Sequence, residues 1–85
     1  MKSREIWMVD LDPTEGSEQN GIRPVIVISG NAMNDYSNLA IVCPLTTKIN
    51  NFQGGIVVEP NSENGLSQTS EILVFQVRTL SNKRF

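Results

Sequence analysis

Two runs of β-branched and apolar residues, PVIVIS at 24–29 and LAIVCPL at 39–45, are separated by only nine residues, and they constrain the fold more than any other feature. Neither run alternates with polar residues, so each predicts a strand buried on both faces. The nine residues between them, GNAMNDYSN, leave room for one helical turn over 31–36. Segment 6–11 reads as a strand with Trp7, Val9 and Leu11 on one face by the period of two. Asp12 and Pro13 end it, because proline cannot donate to a ladder. A short strand is expected at 56–59. The last is expected at 70–79 (SEILVFQVRT), with Ile72, Val74, Gln76 and Arg78 on one face and Leu73, Phe75 and Val77 on the other. Pro44 predicts an edge or a bulge near the end of its strand. About five strands with little helix predict a mostly β fold, a small antiparallel barrel or strongly curled sheet. An open edge on such a sheet invites pairing with another chain.

Eighty-five residues make a single domain over 1–85, which buries roughly 60–65% of its unfolded surface. Hydrophobic residues at 39% and charged ones at 19% exclude a disordered chain. The chain has no histidine and one cysteine, Cys43, which excludes imidazole catalysis and a Cys/His metal site. No cofactor is expected, and in particular no metal held by Cys and His. Cys43 lies in an apolar run and reads as a buried small hydrophobe, compatible with a reducing compartment. No stretch approaches the ~20 apolar residues of a membrane span. No apolar segment follows Lys2 and Arg4 as in a signal peptide. A cytoplasmic protein without a membrane partner is the expectation. The net charge of −2 argues against non-specific binding to duplex nucleic acid, which draws on a dense basic surface. It leaves room for a short single strand held in a local basic groove.

The chemistry must then come from polar loops and strand ends. The loop 14–23 is long for so small a domain, which suggests a site. Arg23 abuts a buried strand, where a fixed guanidinium presents two parallel donors to a phosphate, or is only a solvated loop-end arginine. Thr46 and Thr47 follow the other buried strand, and their hydroxyls either donate to phosphate or cap the loop. Glu18 is a general base or an ion partner of Arg23. Gln76 and Arg78, on one strand face, suit phosphate or base edges, and Lys83 and Arg84 read as a solvated tail.

Taken in order, EIWMVDLDPTEGSEQNGIRPVIVIS at 5–29, LAIVCPLTTKI at 39–49, GLS at 65–67 and QVRTLSNKRF at 76–85 resemble the MazF/PemK toxins across nearly the whole chain. The D-P-T-x-G-S-E-Q-x-G-x-R-P segment at 12–24 is the most specific block. The resemblance implies an SH3-like barrel that works as a homodimer and cleaves single-stranded RNA, often messenger RNA, at specific sequences. It implies a 2′-hydroxyl attack that leaves a 2′,3′-cyclic phosphate and a 5′-hydroxyl, without a metal. Arg23 and Thr46 match the residues the family places at the scissile phosphate, and Glu18 matches a glutamate implicated in catalysis. Ser17, Gln19, Thr47, Lys48, Gln76 and Arg78 are the expected RNA-binding set. The implied partner is a cognate antitoxin whose acidic, disordered C-terminal segment occupies the groove, with promoter DNA bound at most through that complex.

Two departures stand out. Many members carry Asp or Glu just before the Gln of Q-V-R-T, where this chain has Phe75. Members usually continue into a C-terminal helix, whereas this sequence stops at Phe85. The alternative expectation is therefore a truncated or degenerate member that binds RNA or antitoxin and cuts poorly. A gyrase-directed toxin of related fold has no motif in its favour.

Overall fold

The computed structural model describes residues 2–11, 21–51 and 54–85. Six strands and one helix follow in the order β1 (Ile6–Asp10), β2 (Ile22–Val27), α1 (Asn31–Ser37), β3 (Leu39–Thr46), β4 (Ile56–Val58), β5 (Ser70–Ile72) and β6 (Arg78–Ser81). The mostly β, antiparallel expectation holds, with six strands rather than about five. β3 is the central strand. One of its edges pairs with β2, and the other is shared between β6 along residues 39–42 and β5 along residues 45–46. β1 lies outside β2, and β4 outside β5.

The expected single strand over 70–79 is wrong, and β3 explains why. Ile72 pairs with Leu45, so a straight continuation would set Phe75 opposite Val42. Arg78 is there instead. The three-residue slip is taken up by a 3-10 turn at Val74–Gln76. Because the slip is odd, Arg78 and Leu80 fall on the face opposite Ile72, and Gln76 leaves the strand altogether. Pro44 sits at this break. A strand residue directs its N–H and C=O to the same edge, and the Pro44 carbonyl accepts the Leu73 N–H at 2.8 Å. The missing Pro44 donor thus faces the interrupted ladder, where the Leu73 carbonyl accepts the Gln76 N–H at 3.0 Å instead. The interruption expected at Pro44 is present, but on a buried central strand rather than an outer one.

Strand alternation divides the apolar side chains between two clusters. Val9, Leu11, Val25, Val27, Ala40, Val42 and Leu80 form one, flanked by Trp7 and Phe85. Cys43, Leu45 and Ile72 form the other, flanked by Ile6, Ile26, Val58 and Leu66. Trp7, Val9 and Leu11 share a face as expected, while Ile26 is only half-buried and Ile28 is exposed, so 24–29 is less enclosed than its composition suggests. Truncating a leucine such as Leu11 or Leu80 to alanine in cores of this kind costs about 2–5 kcal/mol. Burial pushes the pKa of the Cys43 thiol up.

Among the described residues no strand pairing closes the sheet into a full barrel. Side chains fasten its ends instead. Arg78 Nη1 donates to the Leu11 carbonyl at 3.3 Å and Arg84 Nη1 to the Asp10 carbonyl at 3.0 Å. The Trp7 and Phe85 rings meet edge to face, 5.7 Å apart.

α1 is a weak helix on propensity, with Asn, Asp and Ser at four of its seven positions. A buried polar knot holds it to the sheet. Ser29 Oγ donates to Asn34 Oδ1 and accepts the Ile41 N–H, while Asn34 Nδ2 donates to the Ser29 carbonyl. The helix ends at Asn38, which takes the left-handed conformation at φ 60°.

Candidate active site

The site is built around the base of the segment 12–20, itself outside the described residues. Leu11 and Gly21 close that base, the Leu11 N–H donating to the Gly21 carbonyl at 2.9 Å. Gly21 has φ +70°, a conformation that costs other residues roughly 1 kcal/mol or more. Two residues on, Arg23 lies in β2 directly opposite Val9 and is half-buried, so the strand holds its backbone as expected. Arg78 flanks the same base from β6, one of its five N–H donors spent on the Leu11 carbonyl.

Thr46 is the last residue of β3 and is buried. The β2–β3 register pairs Val25 with Pro44. By strand alternation Arg23 and Thr46, each two residues beyond that pair, point to the same face as Val25 and Pro44. Thr46 Oγ1 accepts the Lys48 N–H at 3.2 Å, a role that does not use the hydroxyl hydrogen. Thr47 and Lys48 follow in an exposed bend. Arg23 in β2 and Thr46 at the end of β3 thus lie on one face of neighbouring strands, with Thr47 and Lys48 following Thr46 in the bend, while Arg78 pairs with Val42, four residues back along β3. Gln76 is separated from Arg78 by the end of the 3-10 turn, which corrects the expectation that the two share a strand face. Ser17, Glu18 and Gln19 lie outside the described residues.

Sequence reasoning passed over Glu71. It is fully buried and pairs with Thr46 across the β3–β5 ladder. Its Oε1 accepts the N–H groups of Asn50 and Asn51, at 2.9 and 3.1 Å. A glutamate in an alternating strand reads as solvent-facing, so only the strand opposite could have revealed it.

A cleft of about 260 Å³ adjoins this region, lined in part by Met8, Pro24, Thr47 and Leu66. The larger cavity, about 610 Å³, lies along residues 3–7 and the 61–65 turn, and among the described residues it holds none of the expected site residues. Chemically, Arg23 and Thr46 offer a permanent cation and a hydroxyl donor on adjacent strands. That pair suits an anion that gains charge during reaction.

The family model described as PemK-like, MazF-like toxin of type II toxin-antitoxin system matches residues 2–85. The Endoribonuclease MazF of Staphylococcus saprophyticus subsp. saprophyticus is 40% identical over 85 residues, spanning 99% of this chain and 71% of that protein. A MazF crystal structure from Deinococcus radiodurans (Form-I) superposes with a TM-score of 0.82 at 25% identity, covering 99% of this chain and 74% of that one. A MazE-MazF structure (Form-II) from the same organism gives a TM-score of 0.69 at 25% identity over 98% and 71% of the respective chains. With a family match running from residue 2 to residue 85 and a relative this similar, the chain belongs to the PemK-like, MazF-like toxins of type II toxin–antitoxin systems.

Proposed function

We propose that this chain is an endoribonuclease toxin that cuts single-stranded RNA at specific sequences without a metal. The observation that supports the reading is that Arg23 and Thr46 lie on the same face of the adjacent strands β2 and β3, Arg23 two residues after Gly21, which closes the base of the segment that contains Glu18. The name of the staphylococcal relative supports the same activity.

In the proposed reaction the ribose 2′-hydroxyl loses its proton to Glu18 and its oxygen attacks the adjacent phosphorus. The bond to the 5′-oxygen breaks and that oxygen takes up a proton, leaving a 2′,3′-cyclic phosphate and a 5′-hydroxyl. The phosphorane between these steps carries extra negative charge, which the Arg23 guanidinium and the Thr46 hydroxyl stabilise from fixed positions. The nucleophile belongs to the substrate, so the protein supplies conformation rather than a nucleophilic side chain. DNA is excluded because it lacks the 2′-hydroxyl. Ser17, Gln19, Thr47, Lys48, Gln76 and Arg78 are assigned to holding the strand.

The proposed assembly is a homodimer restrained by an antitoxin whose acidic, disordered segment pairs with Arg23 and Arg78. The MazE-MazF neighbour supports such a partner, and contact with promoter DNA is proposed only through that complex. A second reading, a binding module that cuts poorly, is favoured by Phe75, an exposed aromatic in the 3-10 turn where relatives commonly place an acid. One assay separates the two. The purified chain is mixed with a long RNA in EDTA and the product ends are mapped. Discrete fragments ending in cyclic phosphate are expected, and binding without cleavage would establish the second reading.

A further inference from the structure

Glu71 has no part in the chemistry above, yet it is a fully buried carboxylate. Burying an ionised carboxylate is costly unless charge-assisted hydrogen bonds compensate. Here two successive amides, of Asn50 and Asn51, converge on one oxygen. Asn51 takes the left-handed conformation at φ 52°, which helps turn consecutive N–H groups toward one anion. The turn so gripped is the one that leaves Thr46. Within it the Lys48 N–H donates to Thr46 Oγ1. A short path thus runs from the Glu71 carboxylate through the backbone of residues 48–51 to the Thr46 hydroxyl. Glu71 is also the cross-strand partner of Thr46, so it fixes the same residue from the ladder and from the turn.

We propose that Glu71 is a positioning residue for the RNA cleavage assigned above: it latches the turn after β3 and thereby aims the Thr46 hydroxyl at the phosphate. The proposal rests on the endoribonuclease reading for its catalytic half, while the latch itself does not.

The test uses three variants of the whole chain and two readouts. Glu71→Val keeps a residue suited to a buried strand but removes the acceptor. Glu71→Gln keeps a carbonyl oxygen in the same place. Asn50→Pro removes one donor from the exposed side of the latch, and stands in should Glu71→Val not fold. Amide hydrogen exchange is the first readout. In Glu71→Val the Asn50 and Asn51 amides are expected to lose protection at least about tenfold, while the Leu73 and Val27 amides, bonded to Pro44 and Glu5, keep theirs. Cleavage kinetics are the second. The turnover rate is expected to fall about 10–100-fold with KM little changed, since misplacing a reacting group by about 1 Å is enough for such a loss. Glu71→Gln should recover most of the protection and the rate. Thr46→Val should cost far less in the Glu71→Val background than in the wild type, because the hydroxyl is already misaimed. Unchanged protection at Asn50 and Asn51, strictly additive losses, or a Gln variant no better than Val would overturn the proposal. A wild-type chain that binds RNA without cutting overturns the ribonuclease reading and the catalytic half with it, and exchange alone then decides the latch.

Discussion

Replacing Thr46 by valine isolates one hydroxyl at the centre of the proposed site. Thr46 is only 8% exposed, and valine matches its shape, so no cavity opens and strand propensity is kept. The structural loss is the acceptor for the Lys48 N–H at 3.2 Å, worth about 1 kcal/mol. Against the 5–15 kcal/mol typical of small domains, that leaves the chain folded. A rate change beyond a few-fold therefore belongs to the chemical step. Loss of one preorganised donor to developing charge lowers turnover by ~10²–10³, about 2.7–4 kcal/mol of transition-state stabilisation. Thr47 is the internal control. It is exposed and assigned to holding the strand rather than to the chemical step, so its valine variant should weaken RNA binding but, at saturating RNA, slow cleavage less than Thr46→Val does. Thr46→Ser, which keeps the hydroxyl, should retain most activity. The assay is single-turnover cleavage of an end-labelled RNA in EDTA, with melting curves for each variant. A Thr46→Val enzyme within about threefold of wild type falls far short of the roughly 10²–10³ loss expected and would refute the assignment, as would a larger loss at Thr47.

Three further outcomes are expected. Arg23→Ala should lower cleavage by ~10²–10³ with the melting temperature little changed, and Arg23→Lys should recover little because a point charge does not reproduce the planar fork; near-normal cleavage by Arg23→Ala removes that residue from the mechanism. Ser29→Ala strips a donor from Asn34 and an acceptor from the Ile41 N–H, and should destabilise the fold by about 1–3 kcal/mol, read as the shift in a urea midpoint; an unchanged midpoint would mean that the knot around α1 contributes nothing. Cys43 is buried with its thiol pKa raised, so at mildly alkaline pH a thiol reagent should label the native chain slowly and in step with global unfolding, whereas rapid labelling without denaturant would contradict this packing.

Much of the sheet was legible because its residues speak locally. The period of two places Val9 and Leu11 inside, and the runs around Val25 and Val42 could hardly be anything but strands. The motif from Asp12 to Pro24 drew attention to Arg23, which lies in β2, and Thr46 was expected just after the third strand, of which it is the last residue. What stayed hidden depends on partners distant in sequence. Nothing in ILVFQVRT breaks a strand, and the 3-10 turn at Val74–Gln76 exists because the two halves of that stretch answer to different parts of β3. The only sequence hint was Pro44, on the other strand. Glu71 was hidden for the same reason, since its burial depends on Thr46 and on the turn beyond it.

The slip at Val74–Gln76 makes this stretch of backbone a mechanical insulator. β5, which carries Glu71 against Thr46, and β6, which carries Leu80 into the core and Arg78 to the Leu11 carbonyl, take their alignments from β3 separately. Substitutions at the exposed Phe75 should thus leave both alignments alone. A single-residue insertion or deletion in the turn would act quite differently. Where the turn does not absorb the change, a deletion would put Thr79 and Ser81, and an insertion Val77 and Thr79, in the places of Arg78 and Leu80, and either would unfasten Arg78 from the Leu11 carbonyl. Length, rather than chemical identity, is the property of this turn on which the register of β6 depends.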